Sequence, residues 1–201
     1  MSMAEERFAS AKTAVFWDLK GCEIPDGENA VEVSQKIRAA LKKLNYHGTT
    51  TIYAYGDTKK MEADLESSGY VVKQHTPAGN TLEDYCGTAS IYASGDTNQM
   101  NPEIVFSHVS DGDPEGSSHR VLTDSLCWAL DNPTPANLLL IVGSISEFEY
   151  AGYFFTLKAL YNFLVAQPQN ASGDQRPSAC ANTTWLWESL SVGGDPIAES
   201  D

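Results

Sequence analysis

The chain has 201 residues, with 13 Lys and Arg against 27 Asp and Glu, a net charge of −14. That charge argues against a broad basic footprint for nucleic acid, and leaves room for a small basic groove or for carboxylates that act with bound cations. Apolar content of 42% with four Trp excludes a disordered chain, and no apolar run approaches the ~18–20 residues of a membrane helix.

In chain order, Ala14-Val15-Phe16-Trp17-Asp18-Leu19 reads as a buried strand that ends in a carboxylate. Residues 21 to 27, with Pro25-Asp26-Gly27, form a turn. Asn29 caps a helix whose apolar stripe is Ala30, Val33, Ile37, Ala40, Leu41 and Leu44. Thr50 to Gly56 is a β-branched and aromatic strand, followed by Asp57. Met61 to Ser67 predicts a short helix and Tyr70 to His75 a strand. Residues 110 to 118 read as a loop, and Ser118 to Leu130 carries a helical face that Asn132-Pro133-Thr134-Pro135 stops. Leu138 to Gly143 is the most apolar run. Ser146 with Glu149 three residues on starts a helix to about Ala159. Asn162 to Ala166 is a further strand, Ala179 to Leu190 a closing helix, and residues 194–201 a disordered acidic tail.

Strands alternating with helices predict an α/β fold, a three-layer α/β/α sandwich on a mainly parallel sheet, as one domain over residues 1–193. In such sheets the site lies beyond the carboxyl ends of the strands, where Asp18, Asp57 and Ser144 fall.

The chain also repeats itself. Residues 46–61, YHGTTTIYAYGDTKKM, and residues 85–100, YCGTASIYASGDTNQM, are identical at ten of sixteen positions, at an offset of 39. Val71-Val72-Lys73-Gln74-His75 then resembles Ile104-Val105-Phe106-Ser107-His108 at an offset of 33. A solenoid needs at least three copies, so two copies mean a local duplication within one domain. The first copy, residues 46–79, is expected to keep its place in the sheet, and residues 80–109 to be an insertion that adds strands at an edge.

Carboxylates gathered at strand ends usually hold a hard cation such as Mg²⁺, which can activate a water and clamp a phosphate. Asp18 is the best single candidate, since a charge directly after Val15-Phe16-Trp17 needs compensation; a capping or turn Asp is the competing explanation. Asp57 lies in an ordinary Gly-Asp-Thr turn sequence, and Asp96 is its duplicate. Asp124, beside Val121 and Leu122, is either paired or functional. Cys22, Cys86, Cys127 and Cys180 show no metal spacing and read as buried thiols. The sequons at Asn170 and Asn182 carry no weight, because residues 1–18 show no secretory leader; an intracellular protein, cytoplasmic or nuclear, is expected. No phosphate-binding glycine loop and no Ser/His/Asp pattern is present.

A set of motifs in order resembles the NYN family, nuclease-type domains with a PIN-like fold, and within it plant proteins of the meiosis-arrest and limkain kind. They are Phe16-Trp17-Asp18-Leu19 with Cys22 and Pro25, then Ile52 to Asp57, then Leu122-Thr123-Asp124 with Cys127 to Pro133. Ala136 to Ile141, Tyr161 to Pro168 and Trp185-Leu186-Trp187 follow. The resemblance covers about residues 12–193, apart from one copy of the repeat.

It implies metal-dependent RNA cleavage by an acidic cluster, with Mg²⁺ or Mn²⁺ as cofactor. The family's fourth strand ends Ser-Gly-Asp-x-Asp-Phe, where this chain has Gly143-Ser144-Ile145-Ser146-Glu147-Phe148. Ser144 or Ile145 therefore replaces the first Asp, and Glu147 the second. Before the central helix, Glu115 and Ser118 stand for the two Asp of a Lys-Asp-x-x-Asp-Lys-Lys stretch. The resemblance thus implies Asp18, Asp57 and Glu147 as catalytic residues and Asp18, Asp57 and Asp124 as metal ligands, with Ser118, Ser144 and Glu115 as degenerate positions. A neutral serine is a much poorer Mg²⁺ ligand than a carboxylate. The expectation is a NYN domain with weak or absent catalysis that binds single-stranded RNA or regulates gene expression. The alternative is a protein-interaction module with no nucleic-acid role. Some relatives are linked to peroxisomes, but Glu199-Ser200-Asp201 is not a peroxisomal signal.

Overall fold

The computed structural model describes residues 5–67, 71–75, 90–94, 104–109, 116–143, 158–171 and 181–198. Strand β1 (Lys12–Asp18) is central, and Ala14, Val15, Phe16 and Trp17 are buried on both of its faces, as a strand inside a parallel sheet requires. Val15 and Trp17 point into one core, Ala14 and Phe16 into the other. Helix α2 (Ala30–Lys43) seals the first core with Val33, Ile37 and Leu41. Its start is a full capping box: the Asn29 side chain accepts from the Val31 and Glu32 N–H groups, and Glu32 accepts from Asn29 N–H. A short helix, α1 (Glu6–Ala9), precedes β1.

Strand β2 (Thr50–Gly56) lies parallel to β1, and helix α3 (Thr58–Ser67) follows it. Strands β3 (Val71–His75), β4 (Ser90–Ser94) and β5 (Ile104–His108) come next, then helix α4 (Gly116–Asp131). Val121 and Ala129 of α4 cover the second core. Among the described residues, strands β6 (Ala136–Ile141), β7 (Asn162–Gln167) and β8 (Thr183–Leu186) complete one eight-stranded sheet, order β3-β4-β5-β2-β1-β6-β7-β8. The six strands from β5 to β8 in that order are parallel, and β4 runs against both β3 and β5. This is the expected α/β architecture. Among the described residues no helix is long and apolar enough to cross a membrane.

The duplication resolves differently from expectation. The strand beside β2 is β5, from the second copy, while β3 of the first copy stands at the sheet edge. The sequence contains the physical reason. Fourteen residues (57–70) separate β2 from β3, but only eight (96–103) separate Gly95 from β5, and 14 − 8 = 6 is the drop in offset from 39 to 33. A parallel connection needs about a dozen residues or more, so the shortened copy can only turn back antiparallel. Which strand wins the inner place is decided by side chains. Phe106 is 1% exposed there, and the repeat puts Lys73 at the corresponding position of β3. A lysine suits an edge.

Two further expectations fail at the C-terminus. The closing helix is instead β8 followed by a short helix, α5 (Trp187–Leu190). Thr183-Thr184-Trp185 favours a pleated surface, and Trp185 and Trp187 alternate with a period of two. The tail is ordered as far as residue 198. Gly194 N–H donates to Ser189 O at 2.8 Å, and Ile197 N–H donates to Thr184 O at 2.8 Å, which covers the outer edge of β8. The helix expected from Ser146 lies outside the described residues as far as 157.

Candidate functional site

The parallel strands end together, and Asp18 closes the central one. It is 4% exposed, and its Oδ1 accepts the Lys20 N–H at 3.1 Å. Among the described residues no cationic side chain pairs with it. The turn that follows is tightly built: Leu19 N–H donates to Tyr55 O, Cys22 N–H to Asp18 O, and Trp17 Nε1 to Cys22 O at 2.7 Å. Gly21 in this turn packs backbone to backbone on Gly143, just past β6. A Cβ on Gly21 would lie 2.5 Å from Gly143 N and 2.9 Å from Asp18 Oδ2. Only glycine lets the turn and the residue past β6 approach each other this closely.

Asp57 directly follows β2, and its carbonyl accepts the Met61 N–H at 3.2 Å, which starts α3. Tyr55 is the ladder partner of Asp18, so both project from the α4 face of the sheet. The Tyr55 hydroxyl donates to Asp124 Oδ2 at 3.1 Å, and Arg120 Nε donates to the same oxygen at 2.9 Å. Burial, and then the Asp124 carboxylate, push the Tyr55 phenol well above its ordinary range.

Asp124, which the resemblance implies as a metal ligand, has one carboxylate oxygen already engaged by other groups. Its carboxylate is engaged by a guanidinium and a phenol, and among the described residues no three His, Cys, Asp or Glu side chains gather to hold an ion. The donor set that fits Mg²⁺ is smaller. A nearly buried Asp18 without a cationic partner among the described residues, with Asp57 at the adjacent strand end, suits an ion that keeps several waters. Ser118 lies in the first turn of α4 with its side chain outside the described part, and Glu115, Ser144 and Glu147 lie outside the described residues.

Tyr55, Arg120 and the Gly21–Gly143 contact were not singled out from the sequence. Arg120 was legible in principle, because it stands four residues before Asp124, the spacing of a helical ion pair.

Cys22 lies behind the same turn. Burial, followed by the Asp18 and Glu188 carboxylates, pushes its thiol far above the ordinary value of 9.0. The folded chain thus keeps the Cys22 and Tyr55 protons while the unfolded chain loses them near 9.0 and 10.0. The contribution of these two groups to stability is fully present below pH 9 and is lost as pH rises, by up to about 1.4 kcal/mol per pH unit for each group. Urea melts between pH 7 and 11 are expected to show this decline, and Cys22→Ala to make it shallower. An equal slope in the variant would remove Cys22 from the linkage.

Residues 12–179 match the model of the NYN domain. Among curated proteins, none is similar enough to this chain to count as a match. The match spans most of the chain and takes in β1 to β7, the strands whose ends carry Asp18 and Asp57, and by it the protein is a member of the NYN family, a family of PIN-like nuclease domains.

Proposed function

We propose that this NYN domain is a ribonuclease-type module with a degenerate acidic site, which cuts single-stranded RNA slowly or not at all and acts by binding RNA in the control of gene expression. The observation that supports this is the engagement of Asp124 Oδ2 by both Arg120 and Tyr55, which draws one of three expected carboxylates into an ion pair. Two of the remaining family positions are hydroxyls, Ser118 and Ser144. Asp18 would hold a Mg²⁺ or Mn²⁺ ion, with Asp57 as a second ligand. When bound, the ion supplies positive charge against the negative charge that develops on an attacked phosphodiester.

Calorimetry with Mn²⁺ and a time course on labelled RNA test the proposal together. Asp18→Asn is expected to abolish Mn²⁺ affinity; equal affinities would remove Asp18 from the site. Ser118→Asp combined with Ser144→Asp is expected to raise cleavage roughly a hundredfold. Fast wild-type cleavage that disappears in Glu147→Gln would sink the degenerate-site proposal and show a rebuilt cluster. The charge of −14 favours a second reading, a protein-interaction module without RNA. Absence of RNA binding at low salt, with and without Mn²⁺, would select it.

A further inference from the structure

Two indole N–H groups close on consecutive carbonyls of the turn after Asp18. Trp17 Nε1 donates to Cys22 O at 2.7 Å, and Trp187 Nε1 donates to Glu23 O at 3.0 Å. The two rings touch, with centroids 5.1 Å apart and a tilt of 48°. Trp17 immediately precedes Asp18. Trp187 comes from the opposite end of the chain, at the start of α5, beyond residues 12–179 that match the family.

The same turn supplies the Lys20 N–H that meets Asp18 Oδ1 and the Cys22 N–H that meets Asp18 O. It also presses Gly21 against Gly143. Hydrogen bonds of this kind hold a carboxylate's orientation only while the backbone that offers them stays in place, because they weaken steeply off their angle. Trp17 can hold only one carbonyl; the next is held by Trp187.

The geometry points to Trp187 as a positioning residue for the Asp18 site: by fixing the Glu23 carbonyl it sets the turn over residues 19–23, and with it the direction of the Asp18 carboxylate. Its consequence for metal binding rests on the function proposed above; its effect on the turn does not. Groups that orient a metal ligand from behind typically change affinity 10–100-fold.

Trp185 provides a matched control two residues away. It is fully buried, and its Nε1 has no acceptor among the described residues. Trp187→Phe and Trp185→Phe remove the same atoms, but only the first removes a bond to the turn. The test uses the full chain, with amide exchange at Lys20 and Cys22 and a calorimetric Mn²⁺ titration. Trp187→Phe is expected to speed both amides about tenfold and to weaken Mn²⁺ binding about tenfold. Trp185→Phe is expected to leave both within about twofold at a similar loss of melting temperature. Trp187→Tyr, which keeps more ring volume and no indole donor, is expected to follow Trp187→Phe and stands in for it if that variant does not fold.

Unchanged exchange at Lys20 and Cys22 in the Trp187 variants, or equal acceleration in Trp185→Phe, overturns the assignment. If exchange responds but the wild-type chain takes up no Mn²⁺, the positioning role stands and the metal proposal falls.

Discussion

Excision of residues 71–103 is expected to leave a folded protein, deletion of 80–109 to abolish cooperative folding, and Lys73→Phe to restore it in the 80–109 deletion. Both cuts leave residues 57–70 as a crossover long enough to return parallel to β2. They differ in the strand that this crossover delivers. The first cut removes 33 residues, the repeat offset, and joins Tyr70 to Ile104, so that β5 keeps its neighbours. Ile104 and Phe106 then still pack with Ile52, Ala54 and the α2 stripe. The second cut leaves only Val71-Val72-Lys73-Gln74-His75 for that place. It loses the burial of a phenylalanine, about 3–5 kcal/mol, and puts an ammonium group in its position. Against a total stability of about 5–15 kcal/mol that is decisive. Circular dichroism and urea melts of the three chains would read this out. Unfolding of the 71–103 excision would show instead that β3 and β4 are indispensable to the sheet.

The parts of this fold that were legible in the sequence were those written locally. β1, β2, β6 and β7 are apolar runs with abrupt ends, and α2 carries both its stripe and its cap. The order of strands in the duplicated region was not, because a repeat shows which segments are alike and leaves open which copy takes the inner place. The six missing residues of the second copy gave the antiparallel turn in advance, had the two connections been compared. The buried position of Asp18 at the end of a central strand was legible from its place after an apolar run. The fate of Asp124 was not, since its partner Tyr55 is 69 residues distant in the chain and is delivered by the sheet. The contact of Gly21 with Gly143 is likewise a meeting of distant backbones, which no side-chain pattern records.

Gly21→Ala is expected to lower stability by about 2–3 kcal/mol and the melting temperature by roughly 5–10 °C, and to remove Mn²⁺ binding. The added methyl would lie 2.5 Å from Gly143 N and 2.7 Å from Gly143 Cα. These are backbone atoms next to a strand and cannot swing aside as a flexible side chain would. Relief must come from the turn itself, and the turn holds the Asp18 carboxylate, whose Oδ2 would be 2.9 Å from the same methyl. Gly27→Ala separates this from a general effect of losing a glycine. Gly27 has φ of +80° and open space around its Cβ position, so it costs only about 1 kcal/mol of backbone strain and leaves the ion in place. Thermal melts and calorimetry on the two variants would decide, and a Gly21→Ala protein with wild-type melting and affinity would show that the contact yields easily.

The two like strands, β3 and β5, have a consequence in time as well as in space. Synthesis proceeds from the N-terminus, at roughly 5–20 residues per second. Val71–His75 therefore leaves the ribosome some 33 residues, or about 2–7 seconds, ahead of Ile104–His108. Throughout that interval the earlier strand is the only candidate for the place beside β2, and hairpins and helices form in microseconds. Any pairing that Val71–His75 made beside β2 in that interval would have to be displaced by β5 to reach the native sheet, and Lys73, an edge residue there, would weaken such an early pairing.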